Sequence, residues 1–378
     1  MDWWNLPGPQ CFIQNIVQDM RDGRNVIICL PEHSPERLAL AVRESLDEEG
    51  GWERIDYQNS LESLPVDFLY QYYVNDCQAE ENRTIPNLFS HDGIRGKIIW
   101  LDGISAVSWT LWREFIIRYE SVCRGMSILG RTVFCIPLKG ISTIQMPGEE
   151  VCLSVRKYTG ISDSIDMLIY ASHLTRTFGF SGVKAKLVPV IISKISLWDA
   201  HLAESLSRQS FETLLSPSEF LKKTAIERGW LNEEGEIIAP LWELGMKDIF
   251  EGEECLHSSI LINETETSEL QRRLWSAEVS VLYPYIEEQR QIILNHLKRF
   301  LSVPYTTRFG EVITDIKDLE IGHIEAVLSN NSSFRDREMR KRISDLRKMR
   351  NDLAHLIPIE STQFLSEAIK KPLKINVK

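Results

Sequence analysis

Apolar positions in the first 140 residues alternate between helical spacing and short unbroken runs. Phe12, Ile16, Val17 and Met20 recur as one helical face, and the pattern stops at Asp22-Gly23. Asn25–Leu30 is an apolar run of strand length, and after a Pro-rich turn the spacing predicts a helix over about Pro35–Leu46. A further helical stretch falls near Val66–Asn75. Lys97–Asp102 is a second buried-strand pattern ending in an acid, followed by a helix over Ala106–Cys123 and a third strand over Thr132–Pro137. Short apolar strands alternating with helices imply a parallel sheet covered on its faces.

From about Asp163 the pattern turns helical. Ile165, Leu168 and Ile169 open it, Leu187–Leu197 is an apolar helix that Trp198–Glu204 continues, and another helix covers Ser218–Arg228. The polar stretch Ile262–Ser268 reads as a linker and N-cap region. Long helices follow over Glu269–Leu282 with continuation to Leu301, then Ile313–Ser329 and Arg335–Leu356, with a short one over Thr362–Lys370. Pro358 stops the last long helix. The expected divisions are an α/β domain over 1–160, a helical lid or extension over 161–262, and an all-α domain over 263–378.

Composition adds the usual proportions of a globular protein, with 43% hydrophobic and 26% charged residues. The opening residues Met1–Pro9 lack a basic and apolar leader, and no apolar run reaches the ~20 residues of a membrane span, so a cytoplasmic protein without membrane contact is expected. Seven scattered cysteines without a C-x-x-C pair read as buried reduced thiols, and no cofactor or metal is expected. Charge is uneven. Residues 1–268 carry 24 basic and 39 acidic side chains, whereas residues 269–378 carry 19 and 15, so an acidic body is joined to a basic C-terminal part. Only the latter offers a surface for phosphates.

The order strand, turn, helix, acid-ended strand, helix, strand, then helical lid resembles the P-loop ATPase class of the AAA/STAND kind. The chemistry of a phosphate cradle is missing. The loop Leu30-Pro31-Glu32-His33-Ser34-Pro35-Glu36-Arg37 has no Gly and no Lys; its two acids repel a triphosphate and its prolines lack N–H donors. Asp102 stands where a metal-holding acid is expected, but Gly103 follows it, so the residue is vestigial at best. The resemblance therefore implies a degenerate scaffold that binds a protein partner and does not hydrolyse ATP. Trp3-Trp4 either anchors a neighbouring protein or tucks onto its own domain.

Near the end of the last long helix stands Arg350-Asn351-Asp352-Leu353-Ala354-His355. Met339, Ile343, Leu346, Met349, Leu353 and Leu356 form one apolar stripe of that helix. Asn351 and His355 are i, i+4 neighbours on another face, and Arg350 lies about 140° around from His355. The Arg-Asn-x-x-x-His pattern, in a helical domain of about 110 residues, resembles the HEPN family. That resemblance implies a metal-independent endoribonuclease assembled as a homodimer through the helical domain. His355 would be its general acid or base, Arg350 would hold the scissile phosphate, and Asn351 would orient either. Arg340, Lys341, Arg347 and Lys348 would draw RNA to the site. Proteins of this combination look like components of prokaryotic antiviral or toxin–antitoxin systems. The alternative is a non-catalytic assembly subunit, its arginine and histidine spent on caps and ion pairs.

Overall fold

The computed structural model describes residues 2–46, 51–57, 64–74, 83–232, 234, 236–262 and 269–374. Most of the expected linker, 263–268, and Cys77 lie outside them. The chain opens with α1 (Pro7–Arg21), β1 (Asn25–Leu30), α2 (Leu38–Ser45), β2 (Trp52–Asp56), α3 (Pro65–Tyr73) and α4 (Ile85–Leu88). It continues through β3 (Ile98–Asp102), α5 (Ala106–Cys123), β4 (Val133–Lys139), β5 (Leu153–Lys157) and α6 (Ser164–Thr175). Then come α7 (Gly182–Ser196), α8 (Ala200–Ser207), α9 (Phe211–Leu215), α10 (Ser218–Glu227) and the hairpin β6 (Lys247–Phe250) and β7 (Glu253–Leu256). The last elements are α11 (Glu269–Leu297), the two-residue strands β8 (Tyr305–Thr306) and β9 (Val312–Ile313), α12 (Ile321–Asn330), α13 (Arg337–Ala354) and α14 (Glu367–Lys370).

Two compact units result. One comprises residues 1–170, 198–201 and 235–257; the other comprises 171–197, 202–234 and 258–378. Segment 161–262 thus contributes to both. Among the described residues no helix is long and apolar enough to cross a membrane.

The first unit is built on a five-stranded, all-parallel sheet in the order β2-β3-β4-β1-β5. All six residues of β1 are buried, which suits an apolar run paired on both sides. The edges β2 and β5 carry Glu53, Arg54, Arg156 and Lys157 on partly exposed strands, and such charges discourage pairing with another chain. Pro137 is tolerated in β4 because the β3 ladder ends at Trp100↔Cys135, before the proline would have to donate. Beside the sheet lies an aromatic core including Tyr57, Phe68, Trp109, Trp112, Phe115, Tyr119 and Phe134. Trp112 packs edge-on to Tyr57 and to Phe115, arrangements that ring quadrupoles favour. Cys29, Cys123, Cys135 and Cys152 are buried, and burial raises the Cys29 thiol to about 11, so it stays protonated. Trp3 and Trp4 tuck onto their own unit, with exposures of 3% and 2%, and Trp3 Nε1 donates to Tyr158 Oη at 3.0 Å.

The second unit is helical. α11 packs against α7 and α13, and α12 packs against α13. α13 buries Ile343, Leu346, Met349 and Leu353, four members of the expected stripe, while Leu356 lies past the helix and is 59% exposed. The expected helix over Ile313–Ser329 starts later, at Ile321. Val312 and Ile313 pair with Tyr305 and Thr306 instead, and the Asp315 side chain accepts from Lys317 N–H to hold a 3₁₀ turn.

Candidate functional site

A crevice in the first unit and a helix end in the second each bring polar side chains to solvent. In the first unit a crevice of about 990 Å³ lies at the carboxyl ends of the parallel strands. Ligands of open α/β sheets bind in that position. Its walls include Glu36, Arg37, Arg54, Trp100, Asp102, Ser105 and Lys139.

The strand-end acid is already occupied. Arg54 Nε stands 2.5 Å from one Asp102 oxygen, and Trp100 Nε1 donates to the other at 2.9 Å. Registry across the edge places Arg54 opposite Trp100, two residues from Asp102, so both donors reach one carboxylate. Gly103, at φ +79°, then turns the chain away. The β1–α2 loop is held from several sides. Glu32 N–H donates to Glu243 O at 2.8 Å, His201 Nε2 lies 3.2 Å from Ser34 O, and the Trp4 indole donates to Glu36 O at 2.5 Å. A Cβ at Gly140, where φ is +66°, would meet the Glu32 carboxylate at 2.3 Å, so that acid lies directly on the exit of β4. α2 begins at Arg37, in the left-handed region at φ +65°, without a side-chain cap.

At the other place the helix end is built by its capping bonds. Ile357 N–H donates to Asp352 O at 2.9 Å and Leu356 N–H to Leu353 O at 3.4 Å, the two bonds of a Schellman ending. Glycine is the usual residue at the left-handed position of this motif, but here Leu356 takes it at φ +61°. His355 is the C-cap. Two clips fix the segment onto α11. Trp275 Nε1 donates to Leu353 O at 2.7 Å, and Glu278 Oε accepts from Ile359 N–H at 2.8 Å. Glu278 is wholly buried, and desolvation raises its carboxyl to about 8 against the single opposing bond from Ile359. Between the clips, residues 354–357 are exposed.

The predicted site residues fall differently. His355 is exposed, and its ring makes no hydrogen bond among the described residues. Asn351 is half-buried. Arg350 Nη2 is 2.9 Å from Glu320 Oε2. Of the residues expected to meet RNA, Arg340 is turned inward onto the carbonyls of Asn331 and Phe334 at 3.3 and 2.8 Å, and its guanidinium covers the Phe334 ring. Arg347 is paired with Glu325. Lys341 and Lys348 are exposed, without an acid partner among the described residues.

No family model matches the chain, and no curated protein matches it. The site is therefore read from its own geometry. Among the described residues, no three His, Cys, Asp or Glu side chains gather as a metal-binding group.

Several contributors were not picked out from sequence. Glu278 had a usable signal, because it occupies the buried helical position four residues from both Leu274 and Leu282. Glu320 and Arg54 had none, since their partners stand 30 and 48 residues away.

Proposed function

We propose that the helical unit is a metal-independent endoribonuclease of the HEPN type, or its regulatory subunit, within a prokaryotic defence or toxin–antitoxin system. The observation that carries this reading is the exposed His355 ring, without a hydrogen bond among the described residues, on a helix end tied down by capping bonds and clips. An accessible imidazole serves as general base toward a 2′-hydroxyl or as acid toward the leaving oxygen. Arg350 supplies a permanently charged fork for the scissile phosphate, and Asn351, one turn before His355, orients it. Arg350 and His355 diverge around the helix, so a second copy of the chain completes the site across a homodimer. The exposed Leu356 and Ile357, 59% and 52% accessible, give that contact an apolar centre. The α/β unit serves as a partner-binding platform: its strand-end acid is paired with Arg54 and hydrogen-bonded by Trp100, and its first loop carries no phosphate cradle.

A second reading is favoured by one specific contact. Arg350 already holds Glu320, which is what a non-catalytic assembly subunit requires of its helix end. Incubation of the purified chain with RNA in EDTA, beside His355→Ala and with oligomeric state followed in parallel, separates the two. Cutting that disappears in a folded, equally assembled variant supports the nuclease. Absence of cutting by the wild type, alone and with proteins encoded beside it, supports the assembly subunit.

A further inference from the structure

Two acids of α12 lie on two arginines of α13. Glu320 meets Arg350 and Glu325 meets Arg347, so the helices run antiparallel here and the pairs sit in register. Glu320 is the N-cap residue of α12, and the start of that helix is a capping box in which its carboxylate faces the His323 backbone N–H. The Glu320 backbone N–H donates to His323 Nδ1 at 3.2 Å. The same carboxylate also reaches across to Arg350 Nη2 at 2.9 Å.

We infer that Glu320 is a built-in competitor for the RNA phosphate. Its carboxylate occupies the guanidinium edge of Arg350 at rest, and a phosphate oxygen must displace it before the site is armed. The inference rests on the reading of Arg350 as the phosphate-holding residue. Carboxylate and phosphate oxygens accept from the same guanidinium fork, so the two cannot share the Nη2 donor fully. The pair is partly exposed, 31% at Arg350 and 58% at Glu320, and such pairs are weak. Glu320 therefore acts as a displaceable gate, and its presence lowers RNA affinity by about two- to fivefold. Glu325 acts alike on Arg347, whose stem lies against Gly322 between the two acids.

The test is binding of a fluorescein-labelled, mixed-sequence single-stranded RNA to the full chain at low salt, followed by anisotropy. The proteins are wild type, Glu320→Gln, Glu320→Asp, Arg350→Ala and Glu320→Gln combined with Arg350→Ala. The aspartate variant keeps a capping carboxylate but shortens its reach, and thermal melting verifies that each variant is folded. Tighter binding by both Glu320 variants, weaker binding by Arg350→Ala, and no gain from Glu320→Gln in the Arg350→Ala background are the expected results. If Arg350→Ala weakens binding while both Glu320 variants match wild type, the gate is overturned and the phosphate role of Arg350 stands. A gain that persists in the double variant also overturns it, because bulk charge would then be the cause. If no substitution at either position alters binding, the reading of Arg350 falls and the gate with it.

Discussion

The strand-end crevice and the helix end both present an acid–arginine pair, but they spend it in different ways. At the crevice, Arg54 and the Trp100 indole together take both oxygens of Asp102, and the adjoining loop is tied by Trp4, His201 and Glu243. At the helix end, Arg350 is paired through one contact to Glu320, while among the described residues the His355 ring, between two clips, makes no hydrogen bond. The crevice acid is doubly satisfied and neighboured by fixed backbone. At the proposed site Arg350 is held by one contact on a backbone that capping bonds and clips fix. The left-handed Leu356 belongs to the same picture, since strain of this kind concentrates at functional places.

The largest expected effects separate the two units by pH. Glu278 of the helical unit is raised from 4.5 to about 8, and Asp248 of the α/β unit from 3.8 to about 7, both by burial. Asp248 accepts from Gly160 and Ile249 N–H at 3.0 and 2.7 Å, which opposes but does not cancel the effect. Each folded form binds a proton that its unfolded form has released, so stability falls as pH rises from the unfolded toward the folded value. The loss reaches at most about 5 kcal/mol for Glu278 and about 4 kcal/mol for Asp248. Chemical denaturation between pH 4.5 and 8 should show it. Glu278→Gln should flatten the decline of the helical unit alone, and Asp248→Asn that of the α/β unit alone. A decline unchanged in both variants would sink this account of the buried acids.

Smaller effects sharpen the contrast between the sites. Trp100→Phe removes a donor from Asp102 and should cost about 1–2 kcal/mol by denaturant titration, whereas His355→Ala should stay within about 0.5 kcal/mol of wild type. Equal losses in the two would erase the distinction between fold-committed and free polar groups. Leu356→Gly relieves the left-handed backbone and should stabilise the helical unit by about 0.5–1 kcal/mol, read as a higher midpoint. A small change is also expected for Arg54→Ala. It breaks a pair whose arginine is 65% exposed and should shift stability by less than about 1 kcal/mol without creating nucleotide affinity in a calorimetric titration.

Legibility from sequence followed burial. Asn25–Leu30 and Ala106–Cys123 were read with their observed bounds because the strand is buried on both faces and the helix carries a strong apolar set. The edge strands β2 and β5 escaped, since Trp-Glu-Arg-Ile-Asp and Leu-Ser-Val-Arg-Lys have no apolar run and only part of each is buried. The helix over Leu187–Leu197 was expected to run on into Trp198–Glu204. The chain instead breaks at Leu197, φ +52°, a conformation that no side-chain pattern announces. At the helix end, Arg350, Asn351 and His355 could be singled out by spacing. Their states could not, because the Glu320 contact and the clips from Trp275 and Glu278 join segments distant along the chain.

The most direct measurement of the central claim is RNA cleavage in EDTA by the wild-type chain and by His355→Ala, with melting temperature and oligomeric state recorded for both. The account predicts cleavage by wild type and a fall of a hundredfold or more in the variant, the scale of a lost general acid–base, with unchanged melting and assembly. Equal cleavage by the two proteins, or none by wild type even with proteins encoded beside it, would contradict the claim that the free histidine at this helix end carries out chemistry.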